Sequence, residues 1–420
     1  MRALSSWVLA RLSRVTSSGR FIPEIDGLRF VAIMSVVLFH MYPLFWKAPC
    51  AAWWTAAGGL VEMGWYGVEL FFVISGFILS MPFAEQHLLG RGKVGLRKYF
   101  LRRVTRLEPP YLINLCLLLG LLVLYRGQDL AHLLPRFLAS AFYCHNQVYG
   151  TGSAINYVAW SLEIEVQFYI LAPLLGCVFL IRSRWLRRGV IVAAMGALAL
   201  AILNVASPAW RGRLEASLAS KLPFFLVGFL LSDVYLVEWK GAPRRSYLWD
   251  LIGLAAWIAI PAFLKFHWWL LNTAGFAALL FAYMAAFRGR VINRFFAQPW
   301  IVVIGGMCYT IYLYHQVLLE FLGPLVRPDP AQAVSPLAAV GMIALLSLMV
   351  VAAAALLFVV FEKPFMYKTW PSQVRNGAGR FLAWLLRRLP VARLPGAVAA
   401  TEAVAADPPP SRPRSPNDGQ

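Results

Sequence analysis

Arg29 and His40 stand eleven positions apart in an otherwise apolar run that opens Asp26-Gly27-Leu28-Arg29-Phe30 and closes Leu38-Phe39-His40. At about 100° per residue, eleven steps bring a helix back to within about 20° of its start, so both side chains share one face about 16 Å apart along the axis. A guanidinium at one end of such a face can hold an anion. An imidazole deeper along it can move a proton near neutral pH. The plainer reading, a snorkelling Arg29 and a hydrogen-bonded packing His40, suits Arg29 better than His40. A second polar run, Trp160-Ser161-Leu162-Glu163-Ile164-Glu165-Val166-Gln167-Phe168-Tyr169, sets two carboxylates at one end of an apolar segment. Glu165 is the deeper and needs a cation or hydrogen-bond donors there, whereas Glu163 fits a helix end resting among headgroups. Tyr309, Tyr312, Tyr314 and His315 crowd a third segment, where the tyrosines read as interfacial aromatics. Arg103 and Arg106, three apart, are helix neighbours that suit either a phosphate or positive-inside anchoring. His40, Glu165 and His315 thus form a set fit for acid–base work beyond a cationic mouth. An enzyme with an anionic cytosolic donor and a proton-coupled transporter both fit that set.

The elements that must position these residues are membrane helices. Of the 420 residues, 60% are hydrophobic and 14% charged, and the mean hydropathy is +0.65. A soluble domain carries about a quarter charged residues. A soluble globular enzyme, a disordered chain and a disulfide scaffold are therefore excluded. The fold class is all-α, a polytopic membrane helical bundle. Spans are expected near 29–46, 65–82, 107–125, 157–181, 189–206, 221–237, 247–264, 268–287, 299–323 and 335–361, about ten in all. Basic clusters follow the even spans: Arg91 to Arg103, Arg182 to Arg188, Lys240 to Arg245, and Arg288 to Arg294. That bias places both termini in the cytoplasm.

The net charge of +20 is accounted for by these loops rather than by a nucleic-acid surface, since no basic stripe with interleaved aromatics occurs. The stretch from Asp129 to Asn146 reads as an outer-leaflet or re-entrant helix, because a further crossing there would turn the Arg182–Arg188 cluster outward. Residues 1–20, with Arg2, Arg11 and Arg14, lack the apolar core of a signal peptide and are expected as a basic amphipathic segment on the cytoplasmic surface. Residues 21–366 form the membrane domain. Residues 367–420 are expected as a cytoplasmic tail, first basic and amphipathic over Phe381 to Leu394, then disordered and rich in Pro, Ala and Ser. Cys50, Cys116, Cys144, Cys177 and Cys308 are scattered without metal-ligand spacing, so no metal site is indicated. No inverted repeat of the transporter kind and no appended soluble domain are expected.

The run from Ile25-Asp26-Gly27-Leu28-Arg29 to Phe39-His40 resembles the opening of the acyltransferase-3 family of bacterial integral-membrane O-acyltransferases. Further matches follow in order: Gly67-Val68-Glu69-Leu70-Phe71-Phe72-Val73-Ile74-Ser75-Gly76-Phe77, Arg102-Arg103-Val104-Thr105-Arg106, Trp160-Ser161-Leu162 to Glu165, Tyr309 to His315, and Phe361-Glu362-Lys363-Pro364-Phe365. The resemblance covers residues 21–366. It implies transfer of an acyl group, usually acetyl, from cytosolic acyl-CoA to a hydroxyl of an extracytoplasmic or lipid-linked sugar, in the bacterial cytoplasmic (inner) membrane. Carried onto these positions, His40 is the catalytic base and Glu165 supports it. Arg29, Arg103 and Arg106 hold the donor, and Trp160, Ser161, Tyr309 and His315 lie on the substrate side. Acetyl-CoA or another acyl-CoA enters as donor substrate, with no tightly bound cofactor. The other expected partners are the sugar acceptor and membrane lipid, and no nucleic acid. The alternative is an exporter of a sugar or lipid with no acyl transfer; a non-catalytic subunit of an export machine is a third. The chain departs from the family's commonest pattern at Val166, where a second acidic residue is usual, at Glu108 before Pro109-Pro110, and in the Trp-rich stretch of Trp46, Trp53 and Trp54.

Overall fold

The computed structural model describes residues 2–15, 21–45, 58–59, 61–204, 214, 217–264, 269–326, 335–367 and 370. The Trp46–Trp54 stretch, Cys50 and the amphipathic tail expected at Phe381 to Leu394 lie outside them. Met1–Lys368 form one compact unit, and Thr369–Gln420 are a second. Among the described residues there are helices and no strand. Eight helices among the described residues are long and apolar enough to span a membrane, or nine where a bent pair is taken as one span. The helix Trp269–Arg288 stands where the eighth span, 268–287, is expected, and its apolar part, Ala274–Arg288, falls among the shorter apolar helices.

In chain order α1 covers Arg2–Leu12, α2 Pro23–Phe45, α3 Gly67–Leu89 and α4 Leu96–Gly120. Two short helices follow, α5 over Leu130–Ala141 and α6 over His145–Tyr149, and then α7 over Trp160–Leu175. Next come α8 over Arg184–Leu203, α9 over Leu218–Val237, α10 over Tyr247–Leu264 and α11 over Trp269–Arg288. The last four are α12 over Val291–Phe296, α13 over Pro299–Gly306, α14 over Cys308–Val326 and α15 over Pro336–Leu357. The helix α2 is the shared wall of the bundle. Its Ile25, Leu28, Ala32 and Val36 pack into an apolar cluster with α3, α7, α9 and α11. Its Ile33, Val37, Met41 and Phe45 join a second cluster with α4, α14 and α15. Arg29 and His40 are thereby carried into the middle of the molecule.

Close helix contact rests on glycine. A Cβ on Gly76 of α3 would lie 2.0 Å from the Phe225 carbonyl oxygen of α9, and one on Gly228 would lie 2.3 Å from the Phe77 nitrogen. Only backbones without side chains approach so near, and in lipid such packing replaces the hydrophobic drive that water supplies. At the far end of α3, Gly90 adopts φ +64 and donates its N–H to the Glu85 carbonyl, which stops the helix. The chain turns straight into α4.

Two expectations are corrected, and the non-crossing helix expected over 129–146 is found divided. The basic stretch Arg97 to Arg106, placed in a loop ahead of a span at 107, is itself helical, so that span runs Leu96–Tyr125. Its cations lie on the helix that forms the span rather than on a separate loop. The expected single span 299–323 is broken at Met307, where α13 and α14 meet at 72°. The stretch 129–146 is two helices parted by Tyr143 in the left-handed region (φ 55). At 12 residues α5 reaches about 18 Å, too short to cross a bilayer core of about 30 Å. Its C-terminal end is held where Tyr111 donates to the Ser140 carbonyl at 3.1 Å, and α6 is held where Asn146 N donates to Glu163 Oε2 at 2.9 Å.

Candidate active site

A cavity of about 490 Å³ opens between α2, α3, α4, α7 and α14. Six arginines line it, Arg14, Arg29, Arg91, Arg102, Arg103 and Arg106, against three glutamates, Glu85, Glu165 and Glu362. Their charge is held in place by identifiable partners. Asp26, fully buried, accepts from Arg29 Nη1 at 2.6 Å through one oxygen and from Arg14 Nε at 2.7 Å through the other. One carboxylate thus orients two guanidiniums and leaves a surplus positive charge facing the cavity. Burial, and after it Arg29, lowers Arg14 to about 10 against the pull of Asp26, so Arg14 is still a cation at neutral pH. Arg91 pairs with Glu85 at 2.8 Å.

Arg103 is held against two tyrosine rings. Its guanidinium lies 3.6 Å from the centroid of the Tyr99 ring and 5.7 Å from that of Tyr169, a stacked arrangement that a planar fork makes and an ammonium does not. Its Nη1 donates to the Tyr99 carbonyl at 2.8 Å. Its Nε is buried with no partner among the described residues. Glu165, on α7, accepts from Ser75 Oγ at 2.6 Å and faces the same space. Tyr309 donates to the Leu107 carbonyl at 3.0 Å, which braces α14 against α4. Ser161 Oγ lies 2.8 Å from the Tyr312 hydroxyl, which also meets the Val158 carbonyl.

His40 and His315 form a pair beside this cavity and are not among its lining residues. Their rings meet edge to face with centroids 4.9 Å apart, and His315 Nε2 lies 3.3 Å from His40 Nδ1. Backbone carbonyls settle both tautomers. His40 Nδ1 is 2.9 Å from the Val36 carbonyl, and His315 Nδ1 is 2.8 Å from that of Tyr312. A carbonyl only accepts, so both Nδ1 atoms carry hydrogen. His315 Nε2 is then a lone pair receiving the His40 Nδ1–H. His40 Nε2 is left as a lone pair with no partner among the described residues. Tyr312 links pair and cavity: it lines the cavity, and its ring lies 6.3 Å from that of His315.

Of the residues singled out from the sequence, the cavity gathers Arg29, Arg103, Arg106, Glu165, Ser161 and Tyr309. His40 and His315 are joined to each other. Trp160 lies outside the lining and accepts from Asn146 Nδ2 through its carbonyl at 3.2 Å. The tyrosines of α14, expected in an interfacial belt, are inside: Tyr312 and Tyr314 are buried because the bend at Met307 turns their helix into the bundle. Glu163, expected among headgroups, is 1% exposed and holds the α6 backbone. Sequence reasoning gave no role to Asp26, Arg14, Tyr99 or Glu362. Asp26 carried a usable signal, since it precedes Arg29 by three positions and so shares its helix face. Among the described residues no group of three or more His, Cys, Asp and Glu could hold a metal ion.

The model of an acyltransferase domain matches residues 22–361. The chain is 24% identical over 329 residues to the O-acetyltransferase OatA of Staphylococcus aureus strain NCTC 8325 / PS 47, covering 73% of this chain and 52% of that protein. The OatA of strain Mu50 is similar to the same degree. The chain spans about half the length of these curated relatives. No solved structure matches it. The matched region contains α2 with Asp26, Arg29 and His40, and every helix that lines the cavity, and on that match the chain belongs to the acyltransferase-3 family.

Proposed function

We propose that the chain is a membrane O-acyltransferase that moves an acetyl group from acyl-CoA, presented from the cytoplasm, to a hydroxyl of an extracytoplasmic or lipid-linked sugar. The observation that carries this reading is the arginine-lined cavity with the His40–His315 pair one tyrosine away. Acyl-CoA is a polyphosphate on a flexible arm, and Arg forks match phosphate oxygens in a way a point charge does not. Arg14, Arg91, Arg102, Arg103 and Arg106 receive the phosphates, and Arg29 and Glu165 face the arm further in. The distribution of loop charges supports cytoplasmic termini with the arginine mouth on the same side, in a bacterial inner membrane. The relatives' name, O-acetyltransferase, supports acetyl as the group.

A sugar hydroxyl ionises far above neutral pH, so its attack needs a base within hydrogen-bond reach. His40 Nε2 takes the hydroxyl proton as the oxygen bonds to the thioester carbon. The carbon–sulfur bond then breaks, and the departing thiolate recovers the proton from His40. His315, through Nε2, steadies the imidazolium formed between those two events, and is therefore a positioning residue. Ser161 and Tyr309 hold the walls of the path, and Tyr312 must swing aside for thioester and base to meet.

The test uses the full chain in lipid nanodiscs with radiolabelled acetyl-CoA and membrane glycolipid from a strain lacking the protein. His40→Ala should reduce transfer by about 10²- to 10⁴-fold, the span of general-base contributions, with unchanged yield of folded protein. Wild-type transfer by that variant refutes the assignment of the base.

A further inference from the structure

At the other end of α3 from the arginine mouth lies a second polar group that the chemistry above does not use. Glu69, in the first turn of α3, accepts from Lys221 Nζ at 2.8 Å. The Lys221 ammonium sits 5.8 Å from the Trp65 ring centroid, 5.9 Å from that of Trp160 and 6.0 Å from that of Phe224. Glu69 is 1% exposed, and its Oε2 is buried with no partner among the described residues. Trp65 is 41% exposed. An ion pair inside a membrane bundle is costly enough to require a reason, and neutralising Glu69 needs neither two indoles nor a free carboxylate oxygen.

Placement adds a second observation. Glu69, Trp160 and Lys221 belong to the first turns of α3, α7 and α9, and the contacts of Lys221 with the other two bring the starts of these three helices together. From Glu69 to Glu85 at the arginine mouth, α3 rises about 24 Å. The Trp65 end of the group lies beside the middle of α2: a Cβ on Gly64, next to Trp65, would lie 2.3 Å from the Ser35 carbonyl oxygen and 3.1 Å from the Phe39 Cβ, and one on Gly67 2.4 Å from the Ala32 carbonyl oxygen. Two indole faces, a carboxylate oxygen free to accept and an ammonium able to donate are what a sugar ring requires. Its C–H faces lie flat on aromatic rings, and its hydroxyls both donate and accept.

We infer that Trp65, Trp160, Glu69 and Lys221 form the pyranose subsite of the acceptor, on the opposite side from the donor mouth. This rests on the acyl-transfer reading for the word acceptor, but sugar binding is measurable without the donor. The wild-type chain in nanodiscs is titrated with methyl glucoside, methyl galactoside and methyl N-acetylglucosaminide, with saturation-transfer NMR as the binding readout and acetyl transfer from acetyl-CoA measured separately. Trp65 is 41% exposed but its ring stacks on that of buried Tyr66, with centroids 4.1 Å apart, so thermal unfolding of each variant must match wild type. Trp65→Ala and Trp65→Leu should each weaken saturable binding of the preferred glycoside by about tenfold, the factor a lost aromatic stack carries, while Trp65→Phe retains most of it. The acetyl-CoA dependence should stay as in wild type. Absence of saturable binding of every glycoside to the wild type overturns the subsite, as does equal binding by wild type, Trp65→Ala and Trp65→Leu. Binding that follows this series in a protein that transfers no acetyl group supports the subsite and defeats the transferase reading instead.

Discussion

Replacing His315 separates an orienting histidine from a catalytic one. The His40 Nδ1–H has two acceptors, the Val36 carbonyl at 2.9 Å and His315 Nε2 at 3.3 Å. In His315→Phe the carbonyl remains, so His40 keeps its tautomer and its free Nε2. What is lost is the second acceptor, and its value rises when His40 becomes an imidazolium in the transition state. A hydrogen bond to a charged group contributes about 1.5–3 kcal/mol, or about 10- to 100-fold in rate. Val36, the nearer acceptor, holds the loss to the lower end, about tenfold in kcat. Because His315 does not line the arginine cavity, the KM for acetyl-CoA should not move. His315→Gln presents an amide oxygen from the same position and should recover most of the rate, a rescue that a purely structural role does not give. The assay is initial-rate transfer in nanodiscs across acetyl-CoA concentrations, with thermal unfolding as the fold control. A His315→Phe loss equal to that of His40→Ala refutes the reasoning and makes His315 a base in its own right. Wild-type kcat in both variants refutes the coupling altogether.

Two further outcomes are expected. Arg103→Lys keeps the charge but gives up the stack on Tyr99 and the planar fork, so KM for acetyl-CoA should rise about tenfold with kcat little changed; isothermal titration with CoA checks this, and unaltered affinity counts against a donor role. Gly305→Ala would place a Cβ 1.7 Å from the Asp26 carbonyl oxygen, a backbone clash that should abolish the folded protein on size exclusion, whereas Gly341→Ala, with nothing within 4 Å, should be neutral or stabilise by about 0.5–1 kcal/mol.

The face shared by Arg29 and His40 was legible because a helix's period depends on nothing outside the helix. The all-α membrane bundle was legible because lipid cannot satisfy the polar backbone of an apolar chain and so admits few other solutions. What escaped was tertiary. Arg14 lies in a basic segment of the kind that anchors loops, and only the fold brings it to Asp26. The tyrosines of α14 have the composition of an interfacial belt, and nothing in 299–323 as an apolar run marks the break that turns them inward. Gly305 fits against the Asp26 backbone, a contact that no feature of the run 299–323 marks. The histidine pair required knowing that α2 and α14 are neighbours, 275 positions apart in the chain.

The motif at the end of the matched domain acts on the motif at its start. Breaking a helix at Met307 frees backbone N–H groups that the bilayer cannot satisfy. Glu362 accepts the N–H of Thr310 at 3.0 Å, and also its hydroxyl. It reaches there from a π-helical turn, Phe358–Glu362, whose extra residue swings the carboxylate off the line of α15, an irregularity that recurs at functional sites. The next residue, Lys363, donates to the Ala10 and Arg11 carbonyls at the end of α1, where a cation also meets the negative pole of that helix. The α1 segment so held leads into Arg14, Arg14 into Asp26, and Asp26 into Arg29. Phe361-Glu362-Lys363-Pro364 therefore has a physical reason to accompany Asp26-Gly27-Leu28-Arg29: Glu362 braces the broken helix that carries His315, and Lys363 holds the segment that leads to Arg14 and its ion pair with Asp26.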